Sequence, residues 1–413
     1  MDKTYVPRFV DAALDDLLGE LPALLLTGPR GCGKTTTASR RAKSVLRLDR
    51  ADVAGGFAAD PDAVLRAQAP PVLIDEWQRV PESLGAVKRA VDAGSDAGRF
   101  LVTGSVRSRL SGAGWPATGR IVPLAMFGLT AAELAGVPGH VVVDRLIGPD
   151  DPEPGTLPDA PDLAGYVDQI VRGGFPDAVG LSDLARAAWY EGYAEQLIRH
   201  DVAEVAAVRS PAALAALVRA VALMTADAPS MATLAEVVRV DQRTLRSYLD
   251  LLEDLRIIER LPAWGTNRLN RLVKTPKYHV VDPGLAAHLG GDDRAGLLLR
   301  ATRLGHLMET HALAQLRPLL RLAAPAITAC HLRDRNGERE VDLVLETAAG
   351  NLVGIEVKAA NTATAHDARH LAWLRDATSD VFVRGFVLHT GAMTFPLGDR
   401  LWALPIAALW QRP

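Results

Sequence analysis

Two segments of this chain carry residue types and spacings that could do chemistry, one near each end. Near the N-terminus, "LTGPRGCGKTT" contains Gly28 and, four residues after it, Gly33 followed by Lys34 and Thr35. Glycines let backbone N–H groups wrap around phosphates, a lysine reaches the outer phosphates and a hydroxyl binds Mg²⁺. The spacing therefore predicts a loop that binds a nucleoside triphosphate.

Two further motifs belong to the same chemistry. The apolar run "VLIDE" ends in Asp75 and Glu76; an aspartate at a strand end can hold the Mg²⁺ shell, and the next glutamate can orient or activate the attacking water. The run "FLVTGS" ends in Thr103 and Ser105, hydroxyls that could sense the γ-phosphate between the other two strands; a simple strand-to-loop turn is the alternative. Together these motifs predict a P-loop NTPase that uses ATP and Mg²⁺. The predicted nucleotide-binding residues are Gly28, Gly31, Gly33, Lys34, Thr35, Thr36, Asp75 and Thr103, with Thr35 and Asp75 as metal ligands and Glu76 as a catalytic residue.

An arginine that neutralises charge developing on the phosphate would complete this site. The segment after Thr103 offers Arg107, Arg109 and Arg120, acting within the chain or from a neighbouring subunit. Each also fits an ordinary surface arginine. We prefer Arg120 because it immediately precedes another strand-like run.

The second chemical segment, "REVDLVLETAAGNLVGIEVKAA", places Asp342, Glu356 and Lys358 inside apolar strands. Strand alternation puts Glu356 and Lys358 on one face, and a turn between the strands would bring Asp342 beside them. Two carboxylates can hold a divalent metal, and a lysine can position or deprotonate a metal-bound water. Glu309, on a preceding helical segment, would complete the metal shell. The pattern predicts phosphodiester hydrolysis; a surface hairpin with an ordinary Glu/Lys pair is the alternative.

The length and composition limit the elements that must position these residues. A chain of 413 residues favours two or three domains, and 48% hydrophobic with 23% charged residues is typical of a soluble globular protein. The apolar runs are too short to span a bilayer and no signal-peptide layout is present, so we expect a cytoplasmic protein without membrane contact. Two cysteines exclude a disulfide framework, and the net charge of -3 argues against a uniformly basic nucleic-acid binder.

The middle of the chain separates the two chemical segments. Residues 147–162 are rich in Pro, Asp and Gly and predict an exposed, poorly ordered insertion or linker, and helical spacing then predicts a connector or lid over 163–230. From Met231 to residue 282 the pattern predicts a winged helix-turn-helix, with "RIIERL" as the first wing strand.

A DNA contact would fall on the second helix of this unit. Arg243 and Arg246 point outward at its start, where a helix could enter a major groove. Residues 239–277 hold nine basic and five acidic residues, a local excess of four positive charges. The alternative is a winged helix that serves only as a packing element.

The whole chain resembles the bacterial and archaeal ATPases that join an AAA-type P-loop domain to a C-terminal domain of unknown function, the AAA_14 and DUF4143 pair. The resemblance runs from about Tyr5 to beyond residue 360. Its motifs are "GPRGCGKTT", "LIDEWQRVPE", "FLVTGS", "GRIVPL", "GGFPDAV", "LIRHDV", the winged-helix segment, "KYHVVDPGLAAHL" and "REVDLVL…GIEVKAA".

This resemblance implies that the C-terminal domain has a PD-(D/E)xK restriction-endonuclease-like fold. Asp342 and Glu356 would then bind a metal, Lys358 would be catalytic and Glu309 would support them. The resulting α/β architecture comprises a parallel-sheet ATPase domain (1–146), a linker (147–162), a helical connector (163–230), a winged helix-turn-helix (231–282) and an endonuclease-like domain (283–413).

Three functions are compatible with this architecture. The first is an ATPase whose nucleotide state controls a DNA-binding or DNA-cleaving C-terminal half. The second is an ATP-driven switch whose endonuclease-like domain is catalytically inactive and only binds a nucleic acid or a protein. The third is a chaperone-like machine that acts on protein as a ring. The sequence leaves open the oligomeric state, including a homo-oligomer, the choice among DNA, RNA and protein partners, and the pathway.

Overall fold

The computed structural model describes residues 5–104, 119–197, 210–267, 271, 274–323, 326–334 and 338–411. Two β-sheets lie in the N- and C-terminal parts, and helices occupy most of the chain between them. The strands are β1 (Ala23–Thr27), β2 (Ser44–Arg47), β3 (Val72–Asp75), β4 (Phe100–Gly104), β5 (Val122–Ala125), β6 (Gly155–Thr156), β7 (Ile258–Leu261), β8 (Lys277–Val280), β9 (Ile327–Arg333), β10 (Glu340–Thr347), β11 (Leu352–Lys358), β12 (Phe382–His389), β13 (Met393–Gly398) and β14 (Leu401–Pro405).

The α-helices cover the N-terminal sheet, fill the middle of the chain and flank the C-terminal sheet. They are α1 (Phe9–Glu20), α2 (Lys34–Ser39), α3 (Ala51–Ala59), α4 (Pro61–Ala67), α5 (Glu82–Asp92), α6 (Ala131–Ala135), α7 (Gly139–Ile147), α8 (Leu163–Arg172), α9 (Pro176–Val179), α10 (Asp183–Gln196), α11 (Pro211–Leu223), α12 (Met231–Val238), α13 (Gln242–Asp254), α14 (Pro283–Gly290), α15 (Arg294–Leu299), α16 (Ala301–Leu322) and α17 (Arg369–Ala377). In the described part of the chain, none of the helices is both long and apolar enough to cross a membrane.

The N-terminal sheet is parallel, with the strand order β2-β3-β4-β1-β5. Strands β1, β3 and β4 are apolar runs that are buried along their whole length, as expected for a sheet covered on both faces. Because parallel strands end at the same edge, the loop after β1 lies beside the ends of β3 and β4. The predicted parallel sheet is confirmed, and so is the position of the Thr103 strand between the other two.

Two helices lie at the predicted start of the C-terminal domain. Helix α14 packs against α8 and α11, and α15 packs against α8. Both also contact α16 of the predicted C-terminal domain. Their apolar side chains, such as Leu285 and Leu297, are fully buried in a core that they share with Tyr166 and Leu214 of the connector. The boundary at 283 stays a prediction.

The predicted helix-turn-helix segment forms two short helices, α12 and α13, followed by a two-stranded antiparallel ribbon of β7 and β8. Asp241 begins α13 by accepting hydrogen bonds from the backbone N–H groups of Arg243 and Thr244, which explains where the turn ends. On α12, Leu234 and Val238 are buried, whereas Val237 is 52% exposed. The helices lie where the spacing placed them, and the winged-helix assignment remains a prediction.

The C-terminal sheet is mixed and has the order β6-β13-β14-β12-β11-β10-β9. Its edge strand β6 corrects the prediction of a linker over 147–162. Thr156 pairs with Met393, and the guanidinium of Arg384 donates a hydrogen bond to the carbonyl of Asp150. The segment is mostly exposed, as expected, yet it pairs with the otherwise unpaired edge of β13 and so belongs to the C-terminal sheet.

Helix α16 carries a buried histidine that gives a testable pH dependence. His311 is 2% exposed, its ring lies edge-on to Trp410, and burial, aided by the charge of Arg172, lowers its pKa to about 3. Between pH 6.5 and 3 the unfolded chain binds a proton at this residue that the folded chain does not. Its contribution to stability therefore falls as the pH falls through this range, by about 2 kcal/mol between pH 6.5 and 5.

We expect His311→Leu to remove this term, so that its free energy of unfolding depends less on pH than that of the wild type. Urea unfolding of both proteins at pH 7 and pH 5, followed by circular dichroism, measures the difference. His366→Leu, at an exposed position, is the control and should keep the wild-type dependence. Equal pH dependence in His311→Leu and the wild type would contradict the assignment.

Candidate functional site

The loop after β1 has the backbone of a phosphate cradle. Gly31 and Gly33 have φ angles of 77° and 99°, a left-handed region that glycine adopts without strain. At Gly28, a Cβ atom would lie 2.2 Å from the carbonyl oxygen of Met126, so only glycine fits against the segment after β5. The loop then enters α2 at Lys34, which directs the first N–H groups of the helix toward the cradle.

Lys34 and its neighbours are arranged as a nucleotide site requires. The Lys34 side chain is buried, and its Nζ donates hydrogen bonds to the carbonyls of Gly28 and Pro29 at 3.0 and 2.9 Å, across the mouth of the loop. Thr35 Oγ1 donates to Asp75 Oδ1 at 2.7 Å. Thr36 is exposed at the start of α2.

Asp75 is the point where the three motifs meet. Its Oδ1 accepts hydrogen bonds from both Thr35 and Thr103, and all three side chains are buried or half-buried. A threonine hydroxyl beside a carboxylate is an oxygen-donor set that suits Mg²⁺. The residues present thus fit a nucleotide with its metal ion.

Glu76 adopts a conformation that is uncommon for its residue type. Its φ and ψ angles are 56° and 50°, and Gln78 Nε2 donates a hydrogen bond to its carboxylate. Burial raises the pKa of Glu76, with the nearby charge of Lys34 opposing this and that of Asp75 adding to it. Strained backbone of this kind often occurs at functional positions, and a carboxylate with a raised pKa suits a group that handles a proton.

Arg8 supports the loop and was missed by the sequence interpretation. Its buried guanidinium donates to the carbonyl of Cys32 at 3.0 Å, to that of Phe127 at 2.7 Å and to Glu133 Oε1 at 3.2 Å. It therefore ties the phosphate loop to the segment after β5. A single arginine before the first helix carries no spacing signal that could have revealed this role.

An aromatic cluster from the connector covers the tip of the same loop. A Cβ atom on Gly31 would lie 3.8 to 3.9 Å from ring atoms of Phe175, Trp189 and Tyr193, and Tyr193 Oη donates to the carbonyl of Arg30 at 3.2 Å. The rings of Trp189 and Tyr193 are stacked with their centroids 5.1 Å apart. Because Trp189 and Tyr193 belong to α10, the phosphate loop is in direct contact with this helix.

Arg120 does not reach the phosphate loop of its own chain. Strand β5 starts at the amino edge of the sheet, with Val122 beside Leu24, and Arg120 lies before it, whereas the loop leaves β1 after Thr27 at the opposite edge. Five strand residues at about 3.3 Å each put roughly 17 Å between them. Arg120 Nε instead donates to Asp92 Oδ1 at 2.8 Å on the surface. Ser105, Arg107 and Arg109 lie outside the described residues, and a role for Arg120 in a neighbouring subunit stays a prediction.

The second predicted site is assembled by β10 and β11. These strands pair antiparallel with Leu343 opposite Ile355, so Asp342 lies next to Glu356, and Asp342 Oδ2 accepts a hydrogen bond from the N–H of Val357 at 2.9 Å. Lys358 Nζ lies 3.1 Å from Glu356 Oε2. The expected juxtaposition of these strands is confirmed. Burial and the nearby charge of Asp342 raise the pKa of Glu356 well above its ordinary value.

A lysine from β8 enters this site, and the sequence interpretation counted it only as part of the basic wing. Lys277 Nζ lies 2.9 Å from Glu309 Oε1, 2.8 Å from Glu340 Oε1 and 3.4 Å from Asp342 Oδ1. We call Lys277, Glu309, Glu340 and Asp342 the lysine cluster. Burial by itself would lower the pKa of Lys277, but the surrounding carboxylates outweigh it and the pKa is raised.

The donor set of the lysine cluster does not fit a divalent metal as it stands. An ammonium group already lies between Glu309 and Asp342, the carboxylates that the sequence interpretation gave to the metal together with Glu356. In the described part of the chain, no group of three or more His, Cys, Asp or Glu side chains is arranged to hold a metal ion. The metal roles of Glu309, Asp342 and Glu356 and the catalytic role of Lys358 remain predictions that this arrangement disfavours.

The predicted DNA-contact residues lie on the surface. Arg243 and Arg246 are exposed in the first turns of α13. The local basic excess is smaller at the surface than the sequence count of four, because Arg271 pairs with Glu346, which lies outside 239–277, and Lys277 is buried. The contact with DNA remains a prediction.

The chain matches three domain families. Residues 20–135 match an AAA domain (AAA_14), residues 163–296 match a domain of unknown function (DUF8612) and residues 304–409 match a domain of unknown function (DUF4143). The pairing of AAA_14 with DUF4143 that the motifs indicated is confirmed. A restriction-endonuclease-like fold for the C-terminal domain stays a prediction.

Two mycobacterial proteins match almost the whole chain. They are the uncharacterized proteins Rv2008c of Mycobacterium tuberculosis and Mb2031c of Mycobacterium bovis, each 31% identical over 407 residues, which is 96% of this chain and 83% of the relative. Among solved structures, the Walker-type ATPase PABY2304 of Pyrococcus abyssi is similar with a TM-score of 0.43 and 14% identity, over 70% of this chain and 97% of that one.

Proposed function

Because the chain belongs to the same family as the mycobacterial proteins Rv2008c and Mb2031c and begins with an AAA domain, we propose that it hydrolyses ATP and that its nucleotide state controls binding of DNA by the C-terminal half. The observation that carries the first part is the hydrogen bonding of Thr35 and Thr103 to the one carboxylate of Asp75, beside the phosphate loop. Three separate motifs converge there on one small volume.

In this proposal each residue of the ATP site has a distinct task. Lys34 turns from the loop carbonyls to the β- and γ-phosphates and neutralises charge that develops during hydrolysis. Thr35 and Asp75 hold Mg²⁺, which when bound draws electron density from the phosphate oxygens. Glu76 accepts a hydrogen bond from the attacking water and orients it toward the γ-phosphate, a task that its half-buried carboxylate suits.

The route from the ATP site to the rest of the chain supports the second part. The N–H of Leu129, in the segment that Arg8 ties to the loop, donates to the carbonyl of Gly174 at 2.6 Å. The N–H of Gly174 donates to Asp282 Oδ2 at 2.6 Å, just after β8. Together with the contact of Tyr193 on the loop, these bonds connect the phosphate loop to the β7–β8 ribbon and α13. A structural change that accompanies a change of nucleotide could be transmitted along them.

Binding rather than cleavage is the better supported activity of the C-terminal half. Arg243 and Arg246 are exposed at the start of α13, where the second helix of a helix-turn-helix contacts DNA. Cleavage would need a metal among Glu309, Asp342 and Glu356, and Lys277 lies between two of them. The proposal therefore takes the form of an ATP-driven switch with a catalytically inactive endonuclease-like domain.

Glu76→Gln tests the switch by separating ATP binding from hydrolysis. We expect the turnover of ATP to fall about 100-fold or more, because the neutral glutamine is a weaker acceptor for the hydrogen bond that orients the attacking water, while the affinity for ATP is kept. Fluorescence anisotropy of a labelled DNA duplex should then give affinities that differ at least about fivefold between the ATP-loaded variant and the ADP-loaded wild type.

The DNA surface is tested in the same assay with Arg243→Ala/Arg246→Ala. We expect DNA affinity to fall, and the slope of log affinity against log salt concentration to decrease by about 2, since two phosphate contacts are lost. Arg50→Ala, at an exposed arginine of the N-terminal domain that pairs with Asp52, is the matched control and should bind DNA as the wild type does. Intact ATPase activity with no nucleotide-dependent DNA binding would reject the DNA part alone.

A further inference from the structure

The lysine cluster contains its own cation. The ammonium of Lys277 contacts Glu309, Glu340 and Asp342 at 2.8 to 3.4 Å, and only 2% of the lysine side chain is exposed. We propose that Lys277 is the resident cation of this site, and that the wild-type chain therefore binds no divalent metal between Glu309 and Asp342. The inference concerns the C-terminal half and does not depend on the ATPase proposal.

The positions of the carboxylates make the lysine and a metal mutually exclusive. A divalent metal held by Glu309 and Asp342 would need an oxygen of each at about 2.0 to 2.6 Å from one point. One oxygen of each already lies at 2.9 and 3.4 Å from Lys277 Nζ. The metal would therefore lie in or against the space of the ammonium, where like charges repel in a poorly solvated site.

Two further oxygens of the predicted metal shell are engaged by other groups. Asp342 Oδ2 accepts from the N–H of Val357, and Glu356 Oε2 pairs with Lys358. Glu356 Oε1 is buried without a hydrogen-bond partner among the described residues. Because it lacks a partner among them, this oxygen would gain from a nearby cation. We therefore expect that β10 and β11 can form a metal site once the lysine is removed.

Lys277 is held in place by its strand. It pairs with Leu261 at the start of β8, and the next inward-facing residue of the strand, His279, hydrogen bonds to Thr310 through Nδ1. Glu309 is 5% exposed. If the lysine swung outward, Glu309 and Asp342 would lose their counter-charge while Glu309 stayed buried, an arrangement that is strongly unfavourable. Displacement of the lysine by a solvated metal ion is therefore disfavoured.

The inference predicts that Lys277→Met converts the cluster into a metal site. Mn²⁺ is the probe, and its binding to the nucleotide-free, full-length chain is followed by electron paramagnetic resonance. We expect the wild type and Asp342→Asn to bind Mn²⁺ equally weakly. Lys277→Met should gain one site with an affinity at least about tenfold higher, because methionine removes the charge and, being one atom shorter than lysine, leaves the place of the ammonium open. The double variant Lys277→Met/Asp342→Asn should lose that site.

Two results would overturn the inference. One is Mn²⁺ binding by the wild type that Asp342→Asn abolishes, since the metal and the lysine would then coexist. The other is a folded Lys277→Met that gains no site, since Lys277 would then not be what keeps the metal out.

Thermal melting covers the case in which Lys277→Met folds poorly. Removing the lysine leaves buried carboxylates unpaired, so the melting temperature should fall by on the order of 5 °C or more. Mn²⁺ should restore it in Lys277→Met but not in Lys277→Met/Asp342→Asn, and should leave that of the nucleotide-free wild type unchanged. If the variant does not fold even with Mn²⁺, the Mn²⁺ binding of the wild type compared with that of Asp342→Asn tests the inference by itself.

Discussion

Lys34→Ala is expected to lower kcat/KM for ATP by about 10²–10³-fold, equivalent to about 3–4 kcal/mol of transition-state stabilisation. The reason is positional. The ammonium lies at the mouth of the phosphate loop, within 3.0 Å of the carbonyls of Gly28 and Pro29, and no other cation among the described residues is placed to make these two contacts. Steady-state phosphate release as a function of ATP concentration gives the measurement.

The control for this variant is a lysine of the same domain outside the site. Lys88 pairs with Asp92 on α5, and Lys88→Ala should keep wild-type kinetics. Circular dichroism of Lys34→Ala should match that of the wild type, because α2 begins in a loop that its glycines and Arg8 hold independently. Wild-type turnover in Lys34→Ala would contradict the assignment of this loop to ATP.

The ATP site could be predicted from the sequence because its chemistry is local. Lys34 and Thr35 are contiguous, and Asp75 and Thr103 each end a short apolar strand, a pattern that sequence displays directly. The order of the strands then brings them together, as parallel β-sheets with the loop at their carboxyl edge require. The pairing of β10 with β11 was predictable for the same reason, since one turn joins them.

The residues that were missed come from distant parts of the chain. Arg8 contacts Glu133 across 125 positions, and Lys277 reaches Asp342 across 65. Nothing in the immediate sequence of either residue distinguishes it from a surface cation, because its partners are set by the packing of separate elements. The strand β6 was missed because Gly155 and Thr156 gain their structure from pairing with β13, whereas their own composition favours an exposed loop.

Contacts between distant parts of the chain also connect the two sheets, whose cores are separate. Helix α16 packs against both α1 and β11, and Gln315 on it accepts a hydrogen bond from the N–H of Ala131, which follows β5. The same helix carries Glu309 into the lysine cluster. A shift of the segment after β5 would therefore be transmitted to α16 as well as to Gly174. Both paths reach the segment at Asp282, because Arg317 on α16 donates a hydrogen bond to the carbonyl of Val281 at 2.8 Å.

Asp282→Ala is expected to destabilise the protein by about 3–5 kcal/mol, because one carboxylate joins three elements. Asp282 is 4% exposed and accepts from the N–H of Gly174 at 2.6 Å, the N–H of Leu285 at 2.8 Å and Tyr190 Oη at 3.0 Å. Alanine would leave the N–H groups of Gly174 and Leu285 buried without this acceptor, and Tyr190 Oη would keep only the carbonyl of Arg172 at 3.1 Å. The free energy of unfolding from urea titration followed by circular dichroism measures the loss.

Two substitutions separate this joining role from simple helix capping. Asp293→Ala removes an aspartate that caps α15 at an exposed position through one bond to Gly296, and should cost only about 1 kcal/mol. Asp282→Asn keeps one acceptor oxygen and should fall between the two alanine variants. If Asp282→Ala cost no more than Asp293→Ala, Asp282 would be an ordinary cap. The larger loss instead identifies Asp282 as the residue through which the loop at Gly174, helix α10 and helix α14 hold one another, and hence as the joint that the proposed ATP-driven switch would require.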